Sequence, residues 1–201
     1  MVSKFDICST ALVELGEDTI SSFTAKTPPS KICGQIYPQY IKYLLSMRPW
    51  KFTKKKVQLA RLTTAPLNEW SYAYQMPSDM LMMHGLFNSS STGILPQTNY
   101  EIFEDQIFTD ETIVYIDYQF QPDESSFPAF FTEFAIGAMA SKLAMPITDD
   151  RGIEELKTVK AFGSPSDNYN GGLFGVCKKL DSMQDPTSAI RADTLLSARF
   201  S

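Results

Sequence analysis

Histidine and cysteine are scarce in this chain of 201 residues, which has one histidine, His84, and three cysteines, Cys8, Cys33 and Cys177. A Ser–His–Asp or Cys–His site needs a histidine, and His84 lies in an apolar run typical of a core or edge strand. A zinc site needs several Cys or His at short spacing. An odd number of cysteines, far apart in the sequence, is typical of reduced, buried thiols. We therefore expect no metal site.

The sequence also lacks a convincing phosphate-binding or acid–base motif. It has no P-loop pattern, and no strand pattern precedes the glycines in residues 171–175, so a loop is the simpler interpretation. Adjacent carboxylates at 104–105 point to opposite faces of a strand, and those at 149–150 suit a helix N-terminus. A catalytic pair of carboxylates from distant positions in the sequence, such as Asp117 with Glu101, stays an open alternative. We expect no enzymatic activity and no cofactor.

Basic residues are absent from a long central stretch. Residues 1–61 hold 10 basic and 4 acidic side chains, residues 62–141 hold 11 acidic side chains and no basic ones, and residues 142–201 hold 8 of each. The acidic stretch is either a solvated face or a module that docks on a basic partner or faces passing DNA. The sequence pI near 4.9 disfavours a general nucleic-acid binder. No apolar run reaches the roughly 18 residues of a membrane helix.

Helical patterns open the chain. Ser3 and Asp6 have the spacing of a capping box, which predicts a first helix. Ser30 is placed to cap a second helix, and Pro38 inside it predicts a kink. The proline after Arg48 predicts that this helix ends near Met47.

The pattern changes to strands between residues 51 and 121. The clearest strand has period two, which places four large side chains on one face: Trp70, Tyr72, Tyr74 and Met76. A core face explains that period; the alternative is a base- or sugar-stacking platform. Residues 101–108 and 112–120 flank a polar turn at 109–111 and predict a hairpin.

Helical patterns return near Phe127. Ser126 is a plausible cap, and Pro146 is expected to end that helix. Thr148 or Asp149 is expected to cap the next helix, and residues 173–183 predict a short final one.

The element order predicts an α+β fold. A helical bundle module comprises residues 1–50 and 125–201. An inserted antiparallel β module, sandwich- or barrel-like, comprises residues 51–124.

The strongest positive patch surrounds a run of three lysines. One interpretation is a solvated strand end, and the other is a contact with the acidic module of a neighbouring subunit. The intersubunit candidates are Arg48, Lys51, Lys54, Lys55, Lys56 and Arg61.

Five segments in order resemble one family: ALVELGEDTISSF (11–23), RPWKF (48–52), EWSYAYQMPSDML (69–81), YEIFEDQIFTDETIVYIDY (100–118) and FPAFFTEFAIGAMASKLAMPITDD (127–150). The family is tail tubular protein A of short-tailed, podovirus-type bacteriophages. The resemblance spans most of residues 5–162 and fades at 164–175, where the family tends to continue a long helix.

This resemblance implies a structural role in the virion tail, after assembly in the host cytoplasm. The family forms a homo-oligomeric ring, expected to be dodecameric, between the portal protein and the nozzle made by tail tubular protein B. Tail fibres attach near that junction, and DNA passes through the lumen without sequence-specific binding. The alternative is a carbohydrate-binding or glycan-degrading virion tail protein, which would need Trp70 and Tyr72 exposed beside carboxylates.

The C-terminal segment is expected to contact the portal. It follows a helix breaker at Asp185-Pro186 and has too few apolar residues to bury alone. The portal-contact candidates are Ile190, Arg191, Leu195, Arg199 and Phe200.

Overall fold

The computed structural model describes residues 2–64, 66–67, 69–91 and 93–184, and within these ranges it has five α-helices and two small antiparallel sheets. The helices are α1 Lys4–Val13, α2 Pro28–Ser46, α3 Ala129–Thr148, α4 Arg151–Phe162 and α5 Gly172–Ser182. The strands are β1 Lys54–Gln58, β2 Tyr72–Gln75, β3 Met80–Phe87, β4 Glu101–Phe103, β5 Gln106–Thr109 and β6 Tyr115–Phe120. The predicted α+β class is confirmed, and the described strands close no barrel.

The two N-terminal helices follow the predicted pattern except for one cap. The Ser3 hydroxyl accepts from the Asp6 amide at 3.3 Å, and the Asp6 carboxylate accepts from the Ser3 amide at 2.8 Å, so the capping box is confirmed. Helix α2 begins at Pro28, so the predicted Ser30 cap is wrong. Prolines are tolerated in the first turn because its amides have no partner within the helix. The helix contains Pro38 and ends where predicted.

The six strands form two sheets whose orders are β1–β6–β3 and β2–β5–β4. The predicted hairpin between residues 101–108 and 112–120 is wrong. Residues 101–108 form a hairpin of their own, β4–β5, with Glu104 in the left-handed region at its two-residue turn. Strand β6 instead lies between β1 and β3. Ile116 and Tyr118 of β6, and Val114 just before it, are buried at alternate positions.

The first and last strands of the β segment are neighbours. Lys55 of β1 lies opposite Tyr118 of β6, and Lys56 lies opposite Asp117. The chain therefore leaves the helices and returns to them at one place, which is the geometry that an insertion requires. The division at residues 50 and 125 stays an interpretation.

Two buried clusters accompany this arrangement. The larger lies among the helices and includes Trp50, whose ring centroid is 5.3 Å from that of Phe131 and 6.1 Å from that of Phe174. The smaller lies between the strands and includes Tyr74 and Ile116.

The C-terminal helices depart from prediction at three boundaries. Helix α3 begins after Pro128, and Ser126 lies in a preceding 3₁₀ turn rather than at the cap. The same helix runs past Pro146 because a proline in the last turn removes only one hydrogen bond. Asp149 ends it in the left-handed conformation, and Asp150, not Thr148 or Asp149, caps α4. The final helix matches its prediction within one residue.

Candidate functional site

Two of the six basic candidates stabilise the fold of their own chain. The Arg48 Nε lies 3.5 Å from a carboxylate oxygen of buried Asp181, and its Nη2 donates to the Ser182 hydroxyl at 2.7 Å. Asp181 also accepts from the Lys51 amide at 3.1 Å. The Lys51 ammonium nitrogen is itself buried. These contacts hold α5 against the segment that joins α2 to β1.

Two more candidates pair with carboxylates of the acidic stretch in the same chain. Lys55 Nζ lies 2.7 Å from an Asp79 oxygen and 3.8 Å from the Phe120 ring centroid. The hydrogen bond from Lys55 lowers the pKa of Asp79, against a smaller opposing effect of burial. Lys56 Nζ lies 3.7 Å from an Asp117 oxygen. Part of the charge complementarity seen in the sequence is therefore satisfied within the chain.

Lys54 and Arg61 remain as exposed cations. Neither forms an ion pair with a carboxylate in residues 2–64, 66–67, 69–91 or 93–184. Lys54 lines a cleft of about 260 Å³ beside His84 and Asp117. The Arg61 guanidinium carbon lies 4.8 Å from the Tyr72 ring centroid. These two side chains are the best placed of the six for a contact with another molecule.

The lone histidine is on the surface of β3. Partial burial, and next the Lys54 ammonium, lower the pKa of His84, against an opposing effect of Asp117. Within the described parts of the chain, no group of three His, Cys, Asp or Glu is placed to bind a metal. Cys8, Cys33 and Cys177 are buried free thiols, as the sequence predicted.

The period-two aromatic stripe is only partly core. Tyr74 is buried, and Tyr72 and Met76 pack at the edge of the smaller cluster. Trp70 precedes β2 and is half-buried, and its indole nitrogen donates to the Glu101 carboxylate at 3.0 Å. The expectation that Trp70 belongs to the core is wrong, because the strand begins two residues after it. Asp117 and Glu101, the open acid pair, lie in different sheets.

An aromatic groove between helices was not predicted. It has a volume of about 670 Å³ and is lined by Tyr40, Tyr43, Met47, Thr158, Phe162, Asn168, Tyr169, Asn170 and Phe174. The spacing of Tyr40 and Tyr43 on α2 was an available signal, because residues three apart share a helix face. No local sequence pattern predicts that Tyr169, in the connection between α4 and α5, lines the same groove.

No protein-family model matches this chain, and the search of curated proteins gave no match. The resemblance to tail tubular protein A therefore rests on the five sequence segments quoted above. None of the described helices is both long and apolar enough to cross a membrane. The portal-contact candidates in residues 190–200 lie outside the described residues.

Proposed function

We propose that this chain is the subunit of a head-to-tail adaptor ring in a short-tailed bacteriophage. The ring joins the portal to the tail nozzle and forms part of the DNA exit channel. The observation that carries the proposal is the apolar surface of the last two helices. The exposed apolar side chains are Leu156 and Val159 on α4, Val176 and Leu180 on α5, and Met183 immediately after α5, and Leu156 and Met183 are 68% and 70% exposed. Apolar surface of this kind is typical of protein–protein contacts.

The charge distribution supports a head-to-tail contact between copies. A ring closes when two different patches of each subunit meet by rotation. Lys54, at the start of β1, and Arg61, three residues after its end, supply exposed basic groups on the β segment. Glu104, exposed at the β4–β5 turn, belongs to the acidic stretch and supplies a complementary group.

Reversing the two exposed cations is expected to weaken the ring. We expect Lys54→Glu with Arg61→Glu to reduce homo-oligomerisation at least tenfold at low salt, as measured by light scattering. The effect should shrink as salt is added, because ions screen exposed charges over about 10 Å at 0.1 M.

The matched control is Lys55→Gln with Lys56→Gln. Their carboxylate partners lie in the same subunit, so this variant should assemble normally and lose about 1 kcal/mol or less of stability per exposed pair. Unchanged assembly of the charge-reversed variant at every salt concentration would contradict the electrostatic contact. A protein that stays monomeric, and forms no ring in electron micrographs with its cognate portal, would contradict the function itself.

One observation favours the second candidate, a carbohydrate-binding or glycan-degrading tail protein. Trp70 stays partly exposed beside the carboxylate of Glu101, although Tyr72, the other aromatic that a sugar site would need exposed, packs against the smaller cluster. Sugar sites combine an aromatic face for stacking with carboxylates that accept from hydroxyl groups. Two carboxyls about 5–9.5 Å apart would be needed for hydrolysis.

Glycan binding separates the two candidates. On an array of bacterial surface polysaccharides, the adaptor proposal expects no binding by the parent protein. Binding that Trp70→Ala abolishes, while the melting temperature stays within about 2–4 °C as for a loss near 1 kcal/mol, would favour the second candidate. Glu101→Gln is the matched variant, because it keeps the shape of the side chain while removing its charge.

A further inference from the structure

The aromatic groove presents two tyrosines to solvent. Tyr40 and Tyr43 stack with ring centroids 5.9 Å apart, and Tyr43 is 57% exposed. Tyr169 also lines the groove and is 48% exposed. Phe162 and Phe174 complete its aromatic lining. The groove is therefore open, largely aromatic and large enough for several side chains.

The rim of the groove suits a peptide. Asn168 supplies an exposed side-chain amide that can bond to a backbone, whereas the Thr158 hydroxyl is shared with Ser141 and the Asn170 side-chain oxygen accepts from Lys178. No lining residue is charged. Asn168 and Tyr169 both have positive φ, at 51° and 56°. Tyrosine seldom adopts this conformation, and strained residues of this kind concentrate at binding sites.

The described chain ends beside this groove. Met47 lines the groove, and the next residue, Arg48, donates to Ser182 in the last turn of α5 at 2.7 Å. Helix α5 rises about 12 Å from Phe174 to Ser182 at 1.5 Å per residue. An extended chain covers about 3.3 Å per residue. Residues from Ile190 onward can therefore reach every part of the groove.

The sequence beyond Gln184 supplies an occupant with matching chemistry. Residues 185–201 contain four large apolar side chains, Ile190, Leu195, Leu196 and Phe200. We propose that the aromatic groove binds residues 187–201 of its own chain. Leu195, Leu196 and Phe200 then cover the aromatic rings, and the Asn168 side-chain amide bonds to the backbone.

This inference does not rest on the adaptor function. An isolated subunit can cover its groove whether or not it forms a ring. If the adaptor proposal holds, the same segment must leave the groove to reach the portal, so the groove protects the segment until the portal is met.

Cross-linking in the full chain tests the proposal. Tyr43→Cys with Leu195→Cys places one thiol at the groove and one in the segment, while the three native cysteines are buried. Under mild oxidation we expect an intrachain disulfide, detected by non-reducing electrophoresis and peptide mass spectrometry. The matched control is Val176→Cys with Leu195→Cys, because Val176 is 56% exposed on α5 and does not line the groove. We expect the disulfide between positions 43 and 195 to form at least tenfold faster than the disulfide between positions 176 and 195.

The other outcomes of the cross-linking experiment identify a different occupant of the groove or none. Equal rates for the two pairs overturn the proposal, and a disulfide-linked dimer overturns it in favour of a second copy as occupant. Should Tyr43→Cys prevent folding, Asn170→Cys with Leu195→Cys replaces it, because Asn170 is exposed at the rim. When Leu196→Asp and Phe200→Asp are added to both double-cysteine variants, the disulfide between positions 43 and 195 should lose its tenfold advantage in rate. A monomer that gives the fast intrachain disulfide supports this inference while contradicting the ring.

Discussion

Trp50→Ala is expected to lower the free energy of unfolding by about 3–5 kcal/mol. The Trp50 side chain is fully buried and its ring lies within 6.5 Å of four phenylalanine rings: Phe52, Phe131, Phe134 and Phe174. Its indole nitrogen also donates to the Leu44 carbonyl at 3.1 Å. Truncation therefore leaves a cavity where α2, α3 and α5 meet and an unsatisfied carbonyl in it.

The second tryptophan is the matched control. Trp70 is half-buried and bonds to an exposed carboxylate, so Trp70→Ala should cost about 1 kcal/mol, as an average substitution does. Denaturant titration followed by circular dichroism measures both variants. Equal losses for the two variants would contradict the assignment of Trp50 to the core and Trp70 to the edge.

These two residues show what periodicity can and cannot predict. Alternation predicted a strand containing Tyr72 and Tyr74, and that strand exists. Alternation does not show where the strand begins, so the pattern included Trp70 in a strand that begins at Tyr72. Trp50 follows Pro49 in an irregular turn without periodicity, and its burial comes from packing against α2, α3 and α5.

Strand pairing shows a similar limit. The burial of Ile116 and Tyr118 in β6 was predictable because side chains alternate between the two faces of a strand, whereas the burial of Gln119 beside them was not. The partners of β6 were not predictable either, since it pairs with β3 and with β1, about sixty residues earlier, rather than with the preceding strand. Local turn signals predict hairpins, and a pairing of that separation leaves no local signal.

The charge pattern predicted complementarity without its location. Lys55 and Lys56 meet Asp79 and Asp117 in their own chain, whereas the sequence left open either a solvated strand end or a partner across a subunit boundary. A count of charged residues cannot distinguish contacts within one chain from contacts between chains, because the numbers of basic and acidic residues are the same in both cases. Only the exposed cations Lys54 and Arg61 keep the intersubunit hypothesis open to test.

Gly172→Ala is expected to be the second strongly destabilising change, at about 2–5 kcal/mol. Gly172 begins α5 with φ of +54°, and a Cβ there would lie 2.5 Å from the Lys160 carbonyl oxygen and 2.8 Å from the Gly163 amide nitrogen. The left-handed conformation costs a residue with a side chain about 1–2 kcal/mol. Overpacking adds about 1–3 kcal/mol, and backbone atoms cannot move aside as a flexible side chain can. The corner between α4 and α5 therefore requires glycine.

Gly16→Ala separates the two costs. Gly16 has φ of +84°, and a Cβ there would meet nothing within 4 Å, so this variant should lose only the conformational cost of about 1–2 kcal/mol. Thermal unfolding should place Gly172→Ala several degrees below Gly16→Ala, at about 2–4 °C for each kcal/mol in a chain of this size. Because this corner carries Tyr169 into the aromatic groove, Gly172→Ala should also slow the cross-link between positions 43 and 195. Equal melting temperatures for the two glycine variants would contradict the close backbone approach at Gly172.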